Sequence, residues 1–221
     1  KIMTVKLVGV TRPIDEFGDS ASDVVAYCAR VSNPNNQSNF GTGSKLLSYM
    51  IREGHWSPFE MVHITMEIET TRDIARQILR HRSFAFQEFS QRYAKVKTFS
   101  LREARLQDHK NRQNSVKTND ENLLQWWYKV QTTIQEKSDK YYQQALFKGI
   151  AKEQARALLP EGLAVSKLYM AGSLRSWIHY CQLRTGHGTQ QEHIEVAKAC
   201  WKIIKTEFPD VTAAVEQLCE A

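Results

Sequence analysis

Thirteen consecutive residues, Arg80-His81-Arg82-Ser83-Phe84-Ala85-Phe86-Gln87-Glu88-Phe89-Ser90-Gln91-Arg92, hold three arginines, one histidine, three phenylalanines and one carboxylate. A guanidinium is a rigid fork of donors that matches phosphate and planar acidic heterocycles, and it stays charged at any working pH. Aromatic rings between the cations offer flat surfaces on which another ring can stack. The combination predicts a pocket for a phosphorylated, ring-bearing ligand. Just upstream, Arg72, Arg76 and Arg80 recur at helical spacing, with Gln77 and His81 on a second stripe. Carboxylates four residues away are missing, so local ion pairing does not explain the basic stripe.

Charge is concentrated in the same region. Residues 72–105 carry nine Lys/Arg against three Asp/Glu, which accounts for the whole formal net charge of +6. One local basic segment suggests an anionic ligand at one place, and composition does not separate a phosphorylated small molecule from nucleic acid. Taken alone, a segment like 72–105 could bind a nucleic acid, with its aromatics stacking on bases.

Other familiar chemistries are poorly supported. Gly41-Thr42-Gly43-Ser44-Lys45 lacks the spacing of a phosphate loop, and there is no G-x-G-x-x-G. Ser90 has no G-x-S-x-G context, and no cysteine lies in a motif that would activate it. His187 and His193 lack a third ligand at metal-site spacing, so no metal is expected. By themselves, His81 reads as a hydrogen-bonded structural histidine and His55 as a turn residue beside Trp56.

The elements that must position these residues follow from periodicity. At 221 residues and 42% apolar composition, one domain can bury a core without disulfides. Cys28, Cys181, Cys200 and Cys219 are scattered and are expected as free thiols in a reducing cytoplasm. No apolar run is long enough for a membrane span, and the N-terminus lacks a signal-peptide core. Met3–Val10 reads as a strand, and Val24, Val25, Cys28 and Val31 as a helical stripe behind a Ser20–Asp23 cap. Gly43–Gly54 is a second helix. Val62, Ile64, Met66 and Ile68 alternate with polar residues as a half-buried strand does. A helix is expected over Thr71–Arg80. Were it to continue, Arg82 would enter the apolar arc of Ile74, Ala75, Ile78 and Leu79, so either it stops near Arg80 or Arg82 meets an anion inside.

Residues 99–122 read as a long polar connection, either a functional loop or a flexible one. Helices are expected over Asn122–Gly149 and Ala151–Leu159. Leu163–Met170 fits a strand or a helix start equally well. Ser173–Arg184 is a helix burying Leu174, Trp177, Ile178 and Cys181, with Arg175 and His179 on a flank and Arg184 at the edge beside Trp177. The spacing Ile194, Ala197, Trp201, Ile204, Phe208 marks a last long helix.

Arg80-His81-Arg82, seven residues and Ser90 together resemble the R-H-R-x7-S signature of the flavin-dependent thymidylate synthases. Gly54-His55-Trp56-Ser57-Pro58-Phe59-Glu60 is similar to that family's G-H-x-[ST]-P-F-E turn. Glu153-Gln154-Ala155-Arg156-Ala157-Leu158-Leu159-Pro160 resembles its E-x-A-R-x-x-L-P segment. Leu183-Arg184 with Gln190-Gln191-Glu192 resembles its C-terminal L-R…Q-x-E element, and Arg30-Val31-Ser32 adds to the similarity near the start.

The resemblance implies an α+β fold, one domain over 1–221 with a mostly antiparallel sheet packed by long helices, assembled as a homotetramer whose sites are shared between subunits. It implies methylation of dUMP to dTMP, with methylenetetrahydrofolate as carbon donor and NADPH as reductant through FAD. Gln77, Arg80, Glu88, Phe89, Ser90, Gln91, Arg92 and Arg156 would hold dUMP. Ser57, Arg80, His81, Arg82, Glu88, Ser173, Arg175 and His179 would contact FAD. Arg184 would act on the uracil ring, with no enzyme nucleophile. Ala85 and Gln87 stand where many members have Ser and Asn, and Ser173 and His179 where some have Asn. A cytoplasmic enzyme without nucleic-acid or membrane partners is expected.

Overall fold

The computed structural model describes residues 3–220, which fold in the order β1 (Thr4–Val10), α1 (Ala21–Ala29), α2 (Gly43–Arg52), β2 (His63–Thr71), α3 (Arg72–Ile78), β3 (Ala85–Glu88), β4 (Arg105–Gln107), β5 (Ser115–Lys117), α4 (Glu121–Phe147), α5 (Lys152–Ala155), β6 (Val165–Ser173), α6 (Leu174–Thr185), α7 (Gln191–Glu207) and α8 (Pro209–Glu220). Four strands form an antiparallel sheet in the order β1-β2-β6-β3. The mixed helix and sheet architecture expected from the sequence is present.

The central pair, β2 and β6, is in register from His63 opposite Ser173 to Thr71 opposite Val165. Side chains alternate across a strand, so Ile64, Met66 and Ile68 share one buried face with Leu168 and Met170. Against that face lie Ile74, Ala75 and Ile78 of α3, Leu174, Trp177 and Ile178 of α6, and Val196, Cys200 and Ile204 of α7. The opposite face is polar: the Tyr169 hydroxyl donates to Glu67 at 3.0 Å, and Lys167 bridges Glu69 at 3.0 Å and Glu67 at 3.5 Å. This pairing decides Leu163–Met170 in favour of strand, because β2 supplies the ladder that an isolated segment lacks.

Each central strand runs straight into a helix, Thr71 into α3 and Ser173 into α6. Ser173 caps α6 through its hydroxyl, which accepts from the Ser176 amide at 3.2 Å. Gly172 sits beneath Phe84, where a Cβ would lie 2.5 Å from the ring. Only glycine lets that ring rest on β6, edge-on to Trp177 at 4.9 Å.

Three features go beyond what the sequence led one to expect. Residues 99–122 carry secondary structure of their own, since β4 and β5 form a hairpin. The approach to that hairpin is pinned at Arg102: its guanidinium meets Asp73 at 2.7 and 2.8 Å and the Thr71 hydroxyl at 2.7 Å. Its backbone is held by Gln131 at 2.8 and 2.9 Å and by the Trp127 indole at 3.0 Å. The long helix marked by Ile194 to Phe208 is α7, and a further helix, α8, follows it from Pro209, a residue suited to a helix's first turn. β3, unforeseen, adds a short edge strand inside the arginine-rich segment. Among the described residues no helix is long and apolar enough to cross a membrane.

Candidate active site

α3 ends at Ile78, so the helix does stop before Arg82. The chain then turns, with the His81 amide donating to the Ile78 carbonyl at 3.1 Å and the Phe84 amide to the His81 carbonyl at 3.3 Å. This turn leaves Arg80 and Arg82 exposed and directs His81 inward. From 103 residues away, the last turn of α6 brings Arg184, whose Nε donates to His81 Nε2 at 2.9 Å. The His81 ring is edge-on to Tyr180 at 4.9 Å. Burial, and secondly the Arg184 charge, press the His81 pKa down to about 4. The imidazole is therefore neutral at neutral pH, its Nε2 lone pair accepts from Arg184, and Nδ1 carries the proton. Arg184 keeps its two terminal amino groups as the donors a ligand would meet.

Behind this pair runs a polar series, buried at Tyr180, His193 and Glu192 and half-buried at Gln77 and Gln190. The Tyr180 hydroxyl lies 3.0 Å from His193 Nε2, and His193 Nδ1 lies 3.2 Å from Gln77 Oε1. Gln77 Nε2 donates to Gln190 Oε1 at 2.9 Å, and Gln190 Nε2 to the Glu192 carboxylate at 3.0 Å. Glu192 is gripped by Arg105 at 2.5 Å and approached by Arg102 at 3.5 Å. Burial pushes its carboxyl up, but donation from Arg105, its own backbone amide and Gln190, together with the Arg102 charge, hold it below the usual range. His193 is fully buried, and burial first, then Arg184 and His81, lower its pKa to about 3.

The two histidines give the fold a pH dependence whose sign is fixed. Unfolding returns them to the ordinary value of 6.5, so below that pH the unfolded chain binds more protons than the folded one. Their contribution is intact above about pH 7 and is lost as the pH falls towards the folded values. For His193 the loss between about pH 7 and 5 is on the order of 2 kcal/mol, while half-exposed His81 adds less because solvent screens it. Urea unfolding at both pH values checks this: His193→Gln should narrow the difference between them, and an equal difference in both proteins would refute it.

Arg72 and Arg76 of the basic stripe line a separate cleft of about 480 Å³, together with Gln91, Arg156, Glu153 and Glu161 among others. Arg72 and Arg76 of the stripe are paired, through space rather than along their helix. Glu161 lies 2.5 Å from Arg76 and 3.7 Å from Arg72, and Glu88 lies 3.8 Å from Arg72. Arg72 Nη1 and Gln91 Nε2 are nonetheless buried without a hydrogen-bond partner. At the edge of this region the Ser90 hydroxyl accepts from the Arg92 amide at 3.3 Å, and Arg92 lies 3.6 Å from Glu153. Glu88 accepts from the buried Ser166 hydroxyl at 2.7 Å, the Phe89 amide donates to the Lys167 carbonyl at 2.8 Å, and Arg156 Nε donates to the Glu153 carbonyl at 3.1 Å.

A third grouping surrounds the turn before β2. Ser57 is exposed at the start of a single 3-10 stretch, Ser57–Met61. Arg175 pairs with Glu60 at 3.0 Å, and His179 lies edge-on to Trp56 at 4.8 Å. Burial, then the Arg175 charge, lower the His179 pKa, with Glu60 opposing. Ser173 is buried, its hydroxyl engaged by the cap and by the Ser176 hydroxyl at 3.1 Å.

Predicted site residues thus fall into three groups: Gln77, His81 and Arg184; Glu88 to Arg92 with Arg156; and Ser57, Arg175 and His179. Sequence reasoning missed Tyr180, His193 and Glu192 as neighbours of the first group, although Glu192 lay inside a quoted motif. His193 was weighed only as a metal ligand, whereas both its ring nitrogens are occupied by Tyr180 and Gln77.

A family model described as "Thymidylate synthase complementing protein" matches residues 14–210. The chain is 51% identical over 215 residues to a probable flavin-dependent thymidylate synthase of Paramecium bursaria Chlorella virus 1, covering 97% of this chain and 99% of that one. It is 52% identical over 217 residues to a flavin-dependent thymidylate synthase of a Synechocystis species, covering 97% and 100%. Among solved structures, a UMP/dUMP methylase, PolB from Streptomyces cacaoi bound with 5-Br dUMP, superposes with a TM-score of 0.83 at 28% identity, covering 98% of this chain and 95% of that one.

Proposed function

The chain belongs to the flavin-dependent thymidylate synthases, and from that membership we propose that it methylates dUMP to dTMP, taking the carbon from methylenetetrahydrofolate and the reducing equivalents from NADPH through bound FAD. One observation carries the reading for this chain: Arg184 is held by neutral His81 at 2.9 Å and, among the described residues, forms no ion pair with a carboxylate. A guanidinium so oriented can donate to a uracil oxygen and stabilise negative charge as it develops on the ring.

The other groups divide the ligands between them. Arg156, Gln91 and Arg92 supply donors to the phosphate of dUMP, and the unpaired Gln91 Nε2 in the cationic cleft fits an anion there. Phe89, Ser90 and Glu88 hold the nucleoside, with Gln77, Arg80 and Arg184 on its base side. FAD fits the remaining set: Arg80, Arg82 and Arg175 offer cations for a pyrophosphate, while His81, His179 and Ser57 offer ring edges and a hydroxyl. Glu88 can accept from a ribose hydroxyl. The buried, engaged Ser173 contributes through the start of α6, and the exposed Ala85 and Gln87 alter the family's usual contacts. When bound, the flavin supplies hydride transfer between nicotinamide and the one-carbon unit. The protein's share is to bind, orient and polarise. Assembly as a homotetramer brings the separate groupings of neighbouring subunits into common sites.

The test is direct. Purified protein should carry or take up FAD with a visible flavin spectrum, oxidise NADPH, and convert labelled dUMP to dTMP only when methylenetetrahydrofolate is added. Protein that is colourless and binds no added FAD would overturn the reading.

A further inference from the structure

We propose that Glu192 is a positioning residue for Gln77: its carboxylate sets the direction of donation along Tyr180, His193, Gln77, Gln190 and Glu192, and so fixes the orientation of the Gln77 amide. The functional consequence rests on the reading of Gln77 as a substrate-binding side chain.

The direction follows from the chemistry of the terminal group. An ionised carboxylate only accepts, so Gln190 must turn its Nε2 towards Glu192. Its Oε1 then faces Gln77, which must answer with Nε2. Gln77 is left with Oε1 towards His193, so His193 must carry its proton on Nδ1. The bare Nε2 then takes the Tyr180 hydroxyl. Reversing any one amide would set donor against donor or acceptor against acceptor. Each such mismatch would leave a polar group facing the wrong partner away from water, and bonds in series polarise one another.

The anchor is equally constrained. Arg105, at the start of β4, donates to Glu192 Oε1, while Arg102 reaches both Glu192 and Asp73 in the first turn of α3. One guanidinium thus ties the end of the series to the helix that carries Gln77. The amide retains a second N–H and a second Oε1 lone pair in fixed places, which is the pattern presented to a ligand.

Two variants test this, Glu192→Gln and Gln190→Leu, read by nitrogen NMR of the His193 ring and by steady-state kinetics with dUMP. Wild-type His193 should be wholly in the Nδ1–H tautomer. In both variants it should become a mixture, and KM for dUMP should rise about tenfold while kcat changes much less. If Glu192→Gln does not fold because Arg102 and Arg105 lose their counter-charge, Gln190→Leu preserves that ion pair and carries the test. An Nε2–H tautomer in the wild type, or variants with wild-type tautomer and KM, would overturn the proposal. The expected tautomers in a wild-type protein that does not turn over dUMP would support the series and overturn the reading of its ligand.

Discussion

Arg184→Ala is expected to leave a folded, flavin-binding protein whose dTMP formation falls by a factor of about 10²–10³ or more, the cost of removing one preorganised donor to a developing anion. The mechanism of the loss is double. The substituted side chain no longer offers donors to the uracil ring, and His81 loses the donor at 2.9 Å that occupies its Nε2. Because the Arg184 charge is the second cause of the depressed His81 pKa, that pKa should rise in the variant, though burial, the first cause, keeps it below 6.5. Arg184→Lys should rescue little, since an ammonium cannot donate to His81 and to a ligand in the same planar geometry. Single-turnover formation of dTMP, with flavin absorbance as the control for binding, measures the effect. Turnover within tenfold of wild type would remove Arg184 from the reaction.

The second large effect concerns stability. Trp177 is fully buried on α6, its indole N–H donates to the Ile64 carbonyl of β2 at 3.1 Å, and its ring meets Phe84 at 4.9 Å and Tyr180 at 5.8 Å. Trp177→Ala should destabilise the fold by about 3–5 kcal/mol, the usual range for deleting a buried aromatic ring. A part of this is the cavity, and a part is the lost indole hydrogen bond to the Ile64 carbonyl. Against a typical total of about 5–15 kcal/mol the loss is large. Urea titration should show a lower midpoint with an unchanged slope. Trp177→Phe keeps most of the volume and should lose much less; equal losses in the two variants would place the whole effect in the missing hydrogen bond.

Where a residue's role followed from its own segment, it could be read in advance. Val62 to Glu69 alternates because one face of β2 is buried, and Leu174, Trp177, Ile178 and Cys181 lie together because α6 buries one arc. The Arg80–Arg92 segment stood out as chemistry for a similar reason, unusual residue types at close spacing, whereas Arg184 stood out only through the resemblance of its motif to the family's. What stayed hidden depends on partners distant in sequence. Nothing near Arg76 announces Glu161, and nothing near Arg102 announces Asp73 or Glu192. Propensity for residues 163–170 was divided, and β3 is only four residues long, so both needed β6's neighbours to define them. His193 shows the limit most sharply. Its sequence neighbours suggest at most a ligand, whereas its actual setting is a closed interior where a protonated ring would have no place.

The register of β2 against β6 has a consequence for how the molecule comes into being. Glu67 and Tyr169, partners across that pair, are 102 residues apart. At ordinary synthesis rates of about 5–20 residues per second, β2 leaves the ribosome roughly 5–20 s before its central partner exists. Through that interval Ile64, Met66 and Ile68 belong to a strand with an open edge, and a contact of such long sequence separation is among the slow ones to close. His81 is made early, and Arg184 arrives only with the helix that follows β6. The nascent chain must therefore keep an apolar edge shielded for seconds before any of the His81–Arg184 pair can form, which makes this strand the place where crowded or hurried synthesis would lose protein to aggregation.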